Sequence, residues 1–214
     1  MKHLPQSEAM RRTMVDSQLR PSGVNVAWVL AAMLETPREI FLPGQESIAY
    51  VDRALPVADG RWLNPPVAHA QMLMLADLAD GDRVLLVGAG SGYLAALLGH
   101  RGIMPVAVEE SALLGQAFAA NLPNVKLVHG PLAAGAADHA PFDCIIIDGA
   151  ISALPDSLVA QLVDGGRVVA GLSEGPVTRL ANGIKRGSAV ALRPAVDMEI
   201  DPLPGFAQRK EFVF

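Results

Sequence analysis

Three glycines, Gly88, Gly90 and Gly92, alternate directly after the apolar run Val84-Leu85-Leu86-Val87. Glycine lacks a Cβ, so a turn built from it can bring backbone against a ligand and take positive φ angles. A helix that starts there adds N–H groups with no partner inside the helix. The spacing separates ligand classes. A dinucleotide-binding G-x-G-x-x-G starting at Gly88 requires glycine at position 93, where this chain has Tyr93. The pattern here is G-x-G-x-G, spanning Gly88, Ala89, Gly90, Ser91 and Gly92.

An acidic pair, Glu109-Glu110, closes the next apolar run, Pro105-Val106-Ala107-Val108. Glu109 lies 21 positions after Gly88, near the offset of about 20 at which a carboxylate accepts from ribose hydroxyls. The same pair also fits a solvated helix cap, because Ser111 and a helix-like segment follow. A third run ends at Val128-His129-Gly130-Pro131-Leu132, the rim position of an adenine ring in such a site. Pro131 offers no N–H and no side-chain hydrogen bond, which leaves packing or other backbone groups to hold a ring there. Asp148, after a fourth run, either points into the cleft or opens a turn. Asn64 before Pro65 reads as the N-cap of an apolar helix at about 66–78, and a helix N-terminus in a cleft can also bind a carboxylate. His69 within that helix reads as a core or edge residue. Cys144, the single cysteine, sits before Ile145-Ile146-Ile147 and reads as a buried structural thiol.

Elements that could position these residues follow from periodicity. Up to about Asp59 the chain reads as helices and loops, with helical spacing over Met10 to Leu19 and Val26 to Leu34 and breakers at Pro21, Pro37 and Pro43. This stretch, 1–59, is expected as an N-terminal helical extension on a core of 60–214. From Asp82 apolar runs alternate with helical segments, the signature of an α/β fold with a doubly wound, mostly parallel sheet. Strands are expected at 83–87, 104–108, 125–128, 142–147 and 166–171, and helices near 91–99, 111–120 and 154–162. The segment 132–137 fits helix or loop. Alternating stretches at 177–184, 188–196 and 208–214 suggest antiparallel strands that close the sheet edge.

Composition narrows the function classes. The chain has 214 residues, 51% of them hydrophobic and 18% charged, which supplies a large core. A net charge of −5 without a long basic run argues against nucleic acid as an obligate partner. One cysteine excludes a disulfide framework and fits a reducing compartment. The first residues show no apolar signal region, and no apolar stretch reaches the roughly 20 residues of a membrane span. A cytoplasmic protein with no membrane partner and no metal site is expected.

Several segments together resemble the protein-L-isoaspartate O-methyltransferases. They are Met14-Val15-Asp16-Ser17-Gln18-Leu19-Arg20, Val29-Leu30-Ala31-Ala32-Met33, Pro37-Arg38-Glu39-Ile40-Phe41-Leu42-Pro43 and Ala49-Tyr50-Val51-Asp52-Arg53-Ala54-Leu55-Pro56-Val57. The glycine loop with Tyr93, Pro141-Phe142-Asp143, Leu162-Val163-Asp164-Gly165-Gly166-Arg167 and Phe212-Val213 continue the match, which weakens after Gly175. The resemblance implies a Rossmann-like fold of the class I methyltransferase type and S-adenosyl-L-methionine as cofactor. It implies cofactor contacts at Gly88, Ala89, Gly90, Ser91, Gly92, Tyr93, Glu109, Glu110, Pro131 and Leu132. Isoaspartyl peptides or proteins are the implied substrates, and Asn64 stands where the family's substrate-contacting serine stands. The implied reaction is an in-line displacement from a sulfonium by a carboxylate, which is ionised at neutral pH and needs no general base. This chain departs from the family at three places: Trp62-Leu63-Asn64 replaces Thr-Ile-Ser, Gly130-Pro131-Leu132 replaces Gly-Asp-Gly, and Leu86 stands at an often acidic position. These departures also suit a non-catalytic binding or regulatory relative, or a methyltransferase with another substrate.

Overall fold

Val84 to Val87 form a strand with no solvent-facing side. Strands of this kind lie within parallel sheets covered on both faces. The computed structural model describes residues 5–175 and 177–206. Helix α1 (Pro5–Met14) opens into a wider π-type turn at Val15–Leu19, and α2 (Ala27–Glu35) follows. Short 3₁₀ turns at Arg38–Phe41 and Glu46–Ile48 lead to an antiparallel ribbon of β1 (Leu55–Pro56) and β2 (Trp62–Leu63). Then come α3 (Pro66–Ala76), β3 (Val84–Val87), α4 (Tyr93–Gly99), β4 (Val106–Glu109), α5 (Ala112–Asn121) and β5 (Lys126–His129). Next are β6 (Phe142–Ile151), α6 (Asp156–Val159), β7 (Leu162–Glu174), β8 (Val177–Arg186), β9 (Ala189–Val190) and β10 (Arg193–Asp197).

The main sheet runs β10-β8-β7-β6-β3-β4-β5, with β9 also paired to β8. Strands β5, β4, β3, β6 and β7 are parallel, and β8 and β10 are antiparallel. The doubly wound, mostly parallel sheet and its antiparallel edge are therefore as expected. From β3 the chain winds outward through β4 and β5, then returns to β6 on the other side of β3. The carboxyl ends of β3 and β6 flank this reversal, where such sheets bind ligands. Val87 pairs with both Val108 and Ile147, so the glycine turn, Glu109 and Asp148 all leave from one rim.

Side chains alternate across β3. Val84 and Leu86 join a cluster with Met14, Leu19, Met33 and Phe41 of the N-terminal region, so that region shares a core with one sheet face. Leu85 and Val87 face the other cluster, which Leu203 and Phe206 complete from the far end of the described chain.

Several elements differ from expectation for local reasons. Strand β4 starts at Val106 and ends on Glu109, because Pro105 has no N–H for the ladder. Strand β5 is displaced by one residue, to Lys126–His129. Helix α6 spans only Asp156–Val159, since Leu162 already enters β7. Segment 132–137 resolves into 3₁₀ turns at Leu132–Ala134 and Ala137–His139. Strand β6 runs through Asp148 to Ile151, so Asp148 does not open a turn. The expected strand at 188–196 is divided between β9 and β10. The stretch 208–214 lies outside the described residues. Asn64 does not cap α3: Pro65 holds the cap position and Pro66 the first turn.

Gly171 of β7 lies against β6, where an added Cβ would meet Ala150 Cα at 2.8 Å. Gly171→Ala should destabilise the fold by about 1–3 kcal/mol through overpacking. Gly99→Ala, in helix α4 with open space around it, should be neutral or slightly stabilising. Urea denaturation midpoints of the two variants would check the contrast.

Candidate functional site

The glycine turn is shaped first by its own neighbours. Gly88, Gly90 and Gly92 have φ of +76°, +55° and +103°, the left-handed region that disfavours side chains. Gly88 and Ala89 both donate backbone N–H to Val108 O, at 3.0 and 3.1 Å. A Cβ on Gly92 would also strike Leu122 at 2.9 Å, whereas the space around Gly90 is open. Ser91 donates its hydroxyl to Phe41 O at 3.1 Å and is buried. Tyr93 is fully buried, makes edge contacts with Phe41 and His69, and donates to Met33 Sδ. Burial pushes its phenol up, against the opposing influence of Arg38. Ser91 and Tyr93 thus fasten the turn to the N-terminal region.

Glu109 ends β4 and has no solvent exposure. Its Oε2 accepts from Gly90 N at 2.8 Å, and its Oε1 from Glu110 N and Ser111 N at 3.0 Å each. Arg61 completes the set, with Nη1 at 3.1 Å from Oε1 and Nη2 donating to Gly88 O at 3.2 Å. Ser111 caps α5, its hydroxyl accepting from Leu114 N at 3.1 Å and donating to Asp59. Glu110 Oε2 accepts from Leu132 N at 3.5 Å. Leu132 is buried in the cluster of Leu203, while Pro131 precedes its 3₁₀ turn and is exposed.

The second constellation centres on Asp148. Its Oδ1 accepts from Asn64 Nδ2 at 2.7 Å, and both carboxylate oxygens contact His69 Nε2, at 3.1 and 3.2 Å. Arg38 Nη1 stands 3.3 Å from His69 Nδ1. Arginine can only donate, so this network assigns Nδ1 as the acceptor and gives the Nε2 proton to Asp148. Arg38 also donates to Ala49 O at 2.8 Å and Asn64 O at 2.6 Å, and stacks over the Tyr93 ring. Burial pushes the Asp148 carboxyl up, but His69, hydrogen bonds from His69 and Asn64, and the Arg61 charge bring it below its usual value. Burial lowers Arg38, against the influence of Tyr93 and Asp148. Cys144, behind this rim, is fully buried and its thiol is pushed up to about 12 by burial, which suits packing and not nucleophilic chemistry.

A groove of about 410 Å³ is lined by Asp52, Arg53, Trp62, Pro65, Glu199 and Asp201. Asn64 itself is buried and turned inward, with Asp201 N donating to its Oδ1 at 3.4 Å. Trp62 is 44% exposed and forms one wall. Among the described residues no group of three His, Cys, Asp or Glu could hold a metal, and no helix is long and apolar enough to cross a membrane.

The family model described as protein-L-isoaspartate(D-aspartate) O-methyltransferase (PCMT) matches residues 10–195. The chain belongs to the PCMT family. A protein-L-isoaspartate O-methyltransferase of Methylorubrum extorquens (strain PA1) is 41% identical over 171 residues, 78% of this chain and 75% of that protein. A solved protein-L-isoaspartate O-methyltransferase has a TM-score of 0.80 at 24% identity over 91% of this chain, which spans 66% of that protein's length. A second solved structure, described as a beta-aspartate methyltransferase (PCMT) from Plasmodium falciparum in complex with S-adenosyl-L-homocysteine, has a TM-score of 0.75 at 21% identity. It covers 90% of this chain and 97% of its own. At these identities the two structures speak for the fold: it is that of the class I methyltransferases.

For this PCMT-family chain, Gly88, Ala89, Gly90, Glu109 and Glu110 share one rim with Asn64 and Asp148, while Ser91, Tyr93 and Leu132 turn into the core. Arg38, Arg61 and Leu203 carry much of the arrangement, and sequence reasoning gave them no role. Arg61 bonds a residue 48 positions away, a distance that no local pattern encodes. Arg38 stood inside a recognised family segment, which was the one available signal.

The Asp148 carboxyl is held below its usual range, so it stabilises the fold above the ordinary aspartate range, and the contribution is lost as pH falls through the lower native value. Asp148→Asn should cost about 3 kcal/mol at pH 7, where His69 and Arg38 lose their carboxylate. The gap to the wild type should narrow toward pH 3. Urea midpoints between pH 3 and 7 would check this, a constant gap being the contrary result.

Proposed function

We propose that this chain is an S-adenosyl-L-methionine-dependent carboxyl O-methyltransferase acting on isoaspartyl residues of peptides and proteins. The observation that supports it best is the meeting, in a chain of the PCMT family, of three features at one sheet rim. They are the Gly88–Gly92 turn, the Glu109 carboxylate and the Asn64 loop with its groove. In this reading the open side of Gly90 faces the cofactor, Glu109 receives ribose hydroxyls, and Glu110, Pro131 and the backbone of Leu132 border the adenine. Ala89 and Ser91 supply turn backbone, and Tyr93 supports it from below. Bound cofactor would supply an electrophilic methyl group.

The residue types suit such a cofactor, but the space does not in this conformation. Glu109 is engaged by Arg61, Gly90, Glu110 and Ser111, and Leu203 packs onto Gly88. The chain's own part in the reaction is positioning and exclusion of water. Asp148 and Asp201 N fix the Asn64 amide, its neighbour Pro65 lines the substrate groove, and Trp62 narrows the groove's mouth. Residues 1–59 act in this reading as an extension that carries Arg38 to the core of 60–214. The cytoplasm is its compartment, in keeping with a lone buried thiol.

Transfer of labelled methyl from S-adenosyl-L-methionine to an isoaspartyl peptide, with the aspartyl isomer as control, tests the reading. Methylation of the isoaspartyl form alone is expected, and no transfer to it is the contrary result. Asn64→Ala should lower kcat/KM by about 10-fold or more, as expected for loss of a positioning contact.

A further inference from the structure

We infer that the chain itself fills its cofactor cleft: Arg61 and a strap over residues 199–206, centred on Leu203, are internal occupants that a cofactor must displace. The inference rests on the function proposed above and concerns the same cleft. Gly149 gives the clearest indication. Its φ does not lie in the left-handed region, so the backbone itself does not call for glycine there. A Cβ on Gly149 would instead meet Leu203 Cγ at 2.4 Å. Leu203 Cδ1 likewise stands 3.0 Å from where a Gly88 Cβ would lie. The rim is therefore cut to the shape of a leucine from its own chain. Leu203 and Phe206 are both buried and belong to the core cluster on that sheet face.

Arg61 closes the other half of the cleft. Its guanidinium lies against the Glu109 carboxylate and the Gly88 carbonyl, and both side chains are buried. A ribose hydroxyl has to compete for Glu109 lone pairs already taken by a charged donor and three backbone N–H groups.

The strap is fastened in a way that permits release. Thr178 anchors its start, its hydroxyl donating to Met198 O at 2.9 Å and accepting from Ile200 N at 3.0 Å. Beyond that anchor, Ala150 N donates to Asp201 O at 2.8 Å and Leu203 N to Ala150 O at 2.9 Å. Pro202 and Pro204 supply no donors. Glu199 and Asp201 of the same segment also line the groove beside Trp62. Release of Leu203 by a cofactor therefore also reshapes the wall of the proposed peptide groove.

The test is calorimetric binding of S-adenosyl-L-homocysteine to the wild type, Leu203→Ala and Arg61→Gln, with amide hydrogen exchange of the wild type with and without that ligand. Tighter binding by Leu203→Ala, by 10-fold or more, together with ligand-induced loss of protection at the Ala150 and Leu203 amides, is the expected result. The exchange measurement uses the wild type and so does not depend on how well either variant folds. Wild-type binding with both amides still protected, and with no gain in either variant, would overturn the inference and leave the proposed function standing. No binding by any of the three proteins would overturn both.

Discussion

A buried guanidinium holds this site together. Arg38 has no exposure to solvent, and a charge so placed is tolerable only when its donors are met. They are met by the carbonyls of Ala49 and Asn64 and by His69, above the ring of Tyr93. Each partner comes from a different piece of chain: the loop after the second 3₁₀ turn, the loop before α3, α3 itself, and the start of α4. Through His69 the network reaches Asp148 on β6, and so the sheet. None of these pieces can be moved away without leaving Arg38 short of a partner. The N-terminal region and the sheet rim are thereby held in one geometry.

The short segment from Asp59 to Asn64 is the second point of dependence. Asp59 bonds Ser111, Arg61 bonds Glu109 and Gly88, and Asn64 bonds Asp148 through its side chain and Arg38 through its carbonyl. Three strand ends are thus fastened to one loop by polar contacts that are largely out of water, where an unpaired group is costly. Trp62, in the middle, stays outside and forms the groove wall.

The glycine turn illustrates how far a motif can be read. Gly92 is demanded by its left-handed backbone and by Leu122 behind it, and Gly88 by its backbone and by Leu203. Only Gly90 among the three faces open space. Two of the glycines that suggested a ligand are therefore explained by packing within the chain, although the turn lies where a doubly wound sheet binds its ligands. Glu109 is similar: its carboxylate accepts from Glu110 N and Ser111 N at the start of the next helical segment and from Gly90 N of the turn, and it is buried, not solvated.

Periodicity in the sequence determined the α/β class, the position of β3 and the antiparallel edge, because alternation and buried apolar runs are local consequences of which face meets the core. The run of N-terminal segments determined the family. Boundaries were less legible: Pro105 trimmed a strand and Asp148 continued one, effects that depend on ladder partners far along the chain. Only the tertiary structure decided what the polar residues do. Asn64 is a cap by its neighbours in sequence, yet Asp148, 84 positions on, takes its amide. Arg61 and Leu203 had no signature at all, since a guanidinium or a leucine acquires its role from what it is buried against. Hydrophobic pattern is written along the chain, whereas pairing of buried polar groups and occupation of a cleft are settled when distant segments meet.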